Sequence, residues 1–185
     1  MRVIAGTYRH RLLKEADQSA TRPTTDKNRE MVFNVLGQFF DGGTALDLFA
    51  GTGAMGIEAL SRGIRTAVFV DADRTAVATI RVNLAALAVG PDRAEVLKTD
   101  ADAFLAANGS RRFDLVFLDP PYADAAVPAA LGTIAATRML SADGTIVAES
   151  DRNFTNQRNI GGLALMREIP AGHSKFAFYR WGDNP

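Results

Sequence analysis

The residues best suited to chemistry fall in four clusters, each placed after a short apolar run. The first is the stretch Leu46-Asp47-Leu48-Phe49-Ala50-Gly51-Thr52-Gly53-Ala54-Met55-Gly56. Gly51, Gly53 and Gly56 satisfy G-x-G-x-x-G, a turn in which a strand passes into a helix while the backbone stays open to a nucleotide. The second is Asp71, twenty residues after Gly51 at the end of the next apolar run, where a carboxylate can accept hydrogen bonds from ribose hydroxyls. These two clusters fit a nicotinamide dinucleotide and an adenosylmethionine cofactor alike. Asp47 bears on the choice, because a carboxylate beside the ligand space repels a pyrophosphate. It favours the sulfonium and ammonium of S-adenosylmethionine, directly or through water. The third cluster centres on Asp100, placed to accept from an adenine amino group and equally suited to N-cap the following helix. We assign Asp47, Phe49, Gly51, Thr52, Gly53, Asp71, Ala72, Asp100 and Ala101 to cofactor binding.

The fourth cluster is Asp119-Pro120-Pro121-Tyr122. Two prolines fix φ and withhold two backbone donors, which leaves a stiff turn of acceptors. Such a turn suits an exocyclic amine, a poor nucleophile because its lone pair is delocalised into the ring. Hydrogen bonds from both N–H groups to Asp119 and to the Pro120 carbonyl favour a pyramidal nitrogen and free that pair for a methyl sulfonium. Tyr122 offers a stacking face to a base taken out of its helix. Asp119 leans towards guanine, whose adjacent N1–H and N2–H match the two acceptors of a carboxylate, whereas adenine presents an acceptor beside a donor. Alone, D-P-P-Y reads more readily as a strand end with a core aromatic. After the other three clusters, Asp119, Pro120, Pro121 and Tyr122 become the catalytic candidates.

These clusters need strands to carry them. Thr24, Thr25 and Asp26 are N-cap types ahead of a helix over 26–40. Strands at 45–49, 67–70, 95–98, 113–118 and 145–149 then alternate with helices at 54–61, 74–88, 101–107 and 124–137. Near-continuous apolar strands alternating with helices indicate a parallel sheet covered on both faces. Strands at 164–169 and 175–181, with no helix between them, form a C-terminal antiparallel hairpin, and strands at 2–5 and 11–14 an N-terminal one. The expected architecture is α/β and Rossmann-like, with a mostly parallel seven-stranded sheet. Residues 1–22 form a β-hairpin extension and 23–185 the main domain.

Composition narrows the class further. With 185 residues, 47% of them hydrophobic and 23% charged, the chain can bury one core and is neither a repeat array nor a disordered segment. Apolar runs such as 115–118 fall far short of the roughly 20 residues that span a bilayer, and no signal-peptide pattern is present, so a cytoplasmic protein without a membrane partner is expected. The absence of cysteine removes disulfides and thiolate zinc sites. His10 and His173 stand apart from any ligand cluster, so no metal is expected. Net charge is zero, yet residues 1–14 carry Arg2, Arg9, Arg11 and Lys14 without an acid, giving +4 against −4 elsewhere. With His10, these residues are the RNA-binding candidates. The other reading is a solvated edge hairpin whose charges discourage aggregation.

Arg22-Pro23-Thr24-Thr25-Asp26 with Arg29-Glu30, the stretch 46–63 and Phe113 to Tyr122 resemble the RsmD family of 16S ribosomal RNA guanine-N2 methyltransferases. The resemblance runs in register from the N-terminal hairpin to Tyr122 and more loosely to the final strand. It implies a class I S-adenosylmethionine-dependent methyltransferase acting on N2 of a guanine in 16S ribosomal RNA, within the small ribosomal subunit or its assembly intermediate. We expect a monomer. D-P-P-Y is shared with DNA adenine-N6 methyltransferases, which remain an alternative, as does a nicotinamide- or adenosine-nucleotide-binding Rossmann protein. A DNA enzyme would need more chain for target recognition, and a dehydrogenase a second domain. Where the family often has a Tyr-Gly-Asp-Thr type turn before its last strand, this chain has Gly172-His173-Ser174-Lys175.

Overall fold

A strand buried between two helical layers must be apolar on both faces, and the central runs of this chain meet that demand. The computed structural model describes residues 1–15, 25–120 and 123–182. Arg22, Pro121 and Tyr122 lie outside the described residues. In chain order the elements are α1 (Asp26–Leu36), β1 (Thr44–Leu48), α2 (Ala54–Ser61), β2 (Thr66–Asp71), α3 (Arg74–Ala86), β3 (Ala94–Lys98) and α4 (Ala101–Ala107). They continue as β4 (Phe113–Leu118), α5 (Ala123–Thr137), β5 (Leu140–Asp151), β6 (Asn159–Ile160), β7 (Leu163–Ala171) and β8 (Ser174–Trp181). The sheet order is β3-β2-β1-β4-β5-β8-β7-β6, parallel from β3 to β5 and antiparallel beyond.

Seven of these strands are the expected ones. The eighth, β6, is two residues long and pairs only with the start of β7, too short to leave a periodic signal. One sheet face packs Phe33 of α1, Ile57 of α2, Ile80 of α3, Phe69 and Phe117 into a core. The other packs Phe104 of α4 and Ile134 of α5 against Leu46 and Val116. Helix starts follow their caps: the Thr25 side chain accepts from the Asn28 N–H at 3.2 Å, and Asp73 accepts from Thr75 and Ala76. Helix α1 stops at Leu36 rather than at residue 40, because Gly37 takes φ 117° and turns the chain away. No helix among the described residues is long and apolar enough to cross a membrane.

The N-terminal segment forms an antiparallel hairpin, with a ladder shorter than the expected strands at 2–5 and 11–14. Its two arms pair at Arg2 and Leu12, and the N–H groups of Val3, His10 and Leu13 donate across to the carbonyls of Arg11, Val3 and Met1 at 2.9, 2.9 and 3.1 Å. Beyond these bonds, the N–H groups of Ile4 and Ala5 donate to the Glu58 carboxylate, at 2.9 and 3.0 Å, and the Thr7 N–H to the Ser61 carbonyl at 2.8 Å. A helix side chain thus satisfies donors that the short ladder leaves over. Val3 and Leu13 are buried in the main core, so these residues form part of its cover. Glu58 also accepts from Arg62 Nε at 2.7 Å and lies 3.8 Å from Arg29 Nε, all three side chains being buried. Arg62 stacks over the Phe33 ring, 4.7 Å from its centroid.

Candidate active site

The chain leaves β1 through a left-handed turn. Phe49, Gly51 and Gly53 have φ of 61°, 55° and 76°. Gly53 is the N-cap of α2 and makes no side-chain cap bond; in the first turn it is the Gly56 N–H that a carboxylate, Asp47, takes. A Cβ on Gly56 would come within 2.4 Å of Phe69 Cε1, so the third glycine sets how closely α2 approaches β2. A Cβ on Gly51 would meet nothing within 4 Å, which leaves space above the loop.

Two carboxylates hold this turn from below and from the side. Asp47 is buried, and its Oδ2 accepts from the Gly56 N–H at 2.9 Å. Burial pushes its pKa up to about 7; the Gly56 N–H opposes that rise and the neighbouring Asp71 adds to it. Asp71 Oδ2 accepts from the Gly51 N–H at 2.8 Å, and Oδ1 from the Asp73 N–H at 2.8 Å. Each carboxylate oxygen has a second lone pair, so Asp71 is held in place with acceptor capacity left for ribose hydroxyls. Open space over Gly51, a half-buried diacceptor at Asp71 and a buried acid under the loop fit S-adenosylmethionine.

The other candidates line the same edge. Asp100 follows β3 and N-caps α4, Oδ1 accepting from Asp102 and Ala103 at 2.9 and 3.4 Å. Ala72 is exposed after β2, and Ala101 is buried as the first residue of α4. Asp119 is exposed directly after β4, and Pro120 behind it is buried. Because the sheet order is β3-β2-β1-β4, the four clusters stand at adjacent strand ends. The order reverses between β1 and β4, and ligands of open α/β sheets bind at such a reversal. Among the described residues no group of three or more His, Asp or Glu could hold a metal ion.

The basic N-terminal residues are not gathered there. Helices α2 and α3 run from the carboxyl edge to the amino edge, and the turn carrying Arg9, His10 and Arg11 sits at their far ends. Arg11 donates to the Ala86 carbonyl, and the Tyr8 hydroxyl accepts from Arg93 at 3.0 Å. With eight residues, α2 alone separates that tip from the glycine loop by about 12 Å. Arg2 pairs with Asp26 at 3.5 Å. The Lys14 backbone lies closer to the loop through Asn83, a residue that no motif marks. Asn83 Nδ2 donates to the carbonyls of Lys14 and Thr52, at 3.1 and 2.9 Å, and its Oδ1 accepts from the Lys14 N–H at 2.7 Å. The signal in the sequence is a polar residue on the buried stripe of α3 that holds Val77, Ile80, Leu84 and Leu87.

Solved structures share this arrangement. The Escherichia coli protein yhhF superimposes with a TM-score of 0.86 at 33% identity, over 98% of this chain and 97% of that one. The Thermus thermophilus 16S rRNA N2 G1207 methyltransferase RsmC, solved with AdoMet and guanosine, gives 0.69 at 22% identity, over 90% of this chain and 45% of that one, a likeness of fold. The sheet reversal with its glycine loop and acidic strand ends is the fold of the class I methyltransferases. Within that class, the family model described as Conserved hypothetical protein 95 matches residues 1–180, and the chain belongs to this family, the RsmD family that its motifs resemble. Its relatives include the Ribosomal RNA small subunit methyltransferase D of Escherichia coli (strain K12), 33% identical over 97% of this chain and 89% of the relative. YlbH of Bacillus subtilis (strain 168), provisionally named an rRNA methyltransferase, is 44% identical over 97% of this chain and 98% of its own.

Proposed function

We propose that this methyltransferase modifies the exocyclic N2 of a guanine in 16S ribosomal RNA, in the small subunit or its assembly intermediate, as a monomer without a metal. The observation that carries the reading is the position of Asp119: it directly follows β4, across the sheet reversal from the glycine loop, which suits an acceptor for a base amine beside the cofactor space. The name of the Escherichia coli relative supports the RNA substrate. When bound, S-adenosylmethionine supplies an electrophilic methyl on a sulfonium. The Asp119 carboxylate accepts from the guanine N1–H and N2–H, and the Pro120 carbonyl from the second N2–H. Together they orient N2 and concentrate its lone pair towards the cofactor. Tyr122 stacks on the base. Asp47, Phe49, Gly51, Thr52, Gly53, Asp71, Ala72, Asp100 and Ala101 hold the cofactor, with Asp71 on the ribose and Asp100 towards the adenine. Arg2, Arg9, His10, Arg11 and Lys14 bind RNA phosphates, the Arg9 to Arg11 tip reaching RNA remote from the target base.

Nucleoside mass spectrometry tests the assignment. Small-subunit RNA from a strain lacking this gene should lose one N2-methylguanine, restored by the wild-type chain. Unchanged N2-methylguanine, or loss of N6-methyladenine from DNA instead, would overturn it.

Asp47 gives the cofactor step a pH dependence. The cation of the cofactor favours the ionised carboxylate, so affinity should rise as pH increases through about 7. In the free protein the sign is opposite for stability. The unfolded chain releases this proton near the ordinary value of 3.8 and the folded chain near 7, so Asp47 costs stability as pH rises between them. Calorimetric titrations from pH 6 to pH 8, values that bracket the pKa of about 7, should show tighter binding at the upper end for the wild type and a flat profile for Asp47→Asn. A flat wild-type profile would place the cofactor's charge away from Asp47.

A further inference from the structure

With Arg9 to Arg11 at the amino edge, the catalytic edge needs another surface for the phosphates beside the target base. After Asp151 the chain folds back along β8 and β7, and a cavity of about 380 Å³ opens between this 152–158 segment and β7. Phe154, Asn156, Arg158, Arg167, Glu168 and Lys175 line it. Lys175 pairs with Ser150 of β5 and Pro170 of β7, one residue inside the carboxyl edge. From β4 to β7 there are three strand spacings, about 14 Å in all. The pocket therefore lies along the edge that carries Asp119.

Its charges are arranged for an anion. The one carboxylate, Glu168, is committed: its Oε1 lies 2.9 Å from Lys175 Nζ and accepts from Asn156 Nδ2 at 2.8 Å. The Asn156 hydrogen bond, reinforced by Lys175, holds that carboxyl below its usual range. Arg158 and Arg167 are both exposed and neither lies within ion-pair distance of a carboxylate among the described residues, the Arg158 charge acting on Glu168 only from farther off. Asn156 is only 7% exposed, and its Oδ1 has no hydrogen-bond partner among the described residues, so an acceptor is left over at the pocket wall. Half-buried Phe154 adds an aromatic surface. Guanidinium groups beside an aromatic ring are how proteins hold single-stranded RNA, the cations on phosphate and the ring on a base.

We propose that this pocket binds a nucleotide of the substrate RNA neighbouring the target guanine, with Arg158 and Arg167 on its phosphate and Phe154 against its base. The inference rests on RNA being the substrate. The test is a titration of a labelled single-stranded oligoribonucleotide, carrying one guanine among uridines, at several salt concentrations. The double variant Arg158→Ala/Arg167→Ala should bind about tenfold more weakly at low salt, and its slope of log K against log salt should flatten by about 1.4, roughly 0.7 for each phosphate no longer neutralised. Phe154→Ala should weaken binding with the slope unchanged, because stacking releases no counterions. Affinity for S-adenosylmethionine and the thermal melt should stay at wild-type values in both. An unchanged affinity and slope in a normally melting double variant would overturn the pocket, whatever the enzyme methylates. Wild-type protein that shows these dependences without methylating guanine would leave the pocket standing and remove the guanine-N2 assignment.

Discussion

Replacing Asp119 by alanine should lower turnover on small-subunit RNA by about 10²- to 10³-fold, the scale of losing one preorganised hydrogen-bonding group at a reacting centre. The reason lies in where the demand on that group peaks. Guanine N2 is planar and conjugated in the ground state, and its lone pair becomes available only as it pyramidalises, so acceptors on its N–H groups matter most at the barrier. Asp119 directly follows β4, whereas the loop and Asp71, which we propose hold the cofactor, belong to β1 and β2. Cofactor affinity should therefore stay within about tenfold of wild type, and the loss should appear in kcat. Asp119→Asn keeps one acceptor and should retain intermediate activity. Single-turnover methylation with calorimetry alongside reads both quantities; near-normal turnover in Asp119→Ala would take this carboxylate out of the mechanism.

The largest stability effect should come from Glu58→Ala. Glu58 sits between buried Arg29 and buried Arg62 and also accepts the N–H groups of Ile4 and Ala5. Removing it takes the carboxylate at 2.7 Å from buried Arg62, leaves Arg29 to its pair with Asp26 at 2.9 Å, and strips two backbone donors of their acceptor. Breaking a buried ion pair from one side costs about 3 to 5 kcal/mol. At about 2 to 4 °C per kcal/mol for a chain of this size, the melting temperature should fall by about 6 to 20 °C. The N-terminal segment should loosen first, since Glu58 is its acceptor, and hydrogen exchange at Ile4 and Ala5 would show it. A melting temperature within about 3 °C of wild type would mean that the two arginines find their compensation elsewhere.

Glu58 and Asn83 are hard to read from sequence for one reason. Both are buried polar residues on apolar helix faces, and although spacing offers Arg62 to Glu58, it cannot name the backbone partners, which lie 53 or 54 and 31 or 69 residues away. Helix starts are different. Thr25, Asp73 and Asp100 cap with N–H groups two or three residues on, a range within which residue type and spacing carry the whole interaction. The N-terminal hairpin is legible in part: alternation over 2–5 and 11–14 gives the arms that pair at Arg2 and Leu12, but local pattern cannot contain the carboxylate on α2 that takes the Ile4 and Ala5 donors.

Local pattern was enough for the parallel α/β class, the glycine loop, and an acid after each of the strands β1 to β4 or near its end, because hydrophobic period and turn chemistry are set by near neighbours in the chain. That these acids adjoin one another is a property of the folded molecule. The order β3-β2-β1-β4 follows from right-handed crossovers that cover first one face of the sheet and then the other, and that reversal opens the crevice between the glycine loop and Asp119. Folding also settles which end of the molecule each charge serves. Residues 1–14 carry +4 in sequence, yet the tip holding Arg9, His10 and Arg11 is anchored at the amino edge by Ser61, Ala86 and Arg93. Arg158 and Arg167, unremarkable in composition, come to the pocket beside the catalytic edge because β7 returns parallel to β5. Charge is a property of residues, but the field at a site depends on which strands meet there, and that is settled by pairings between residues far apart in the chain.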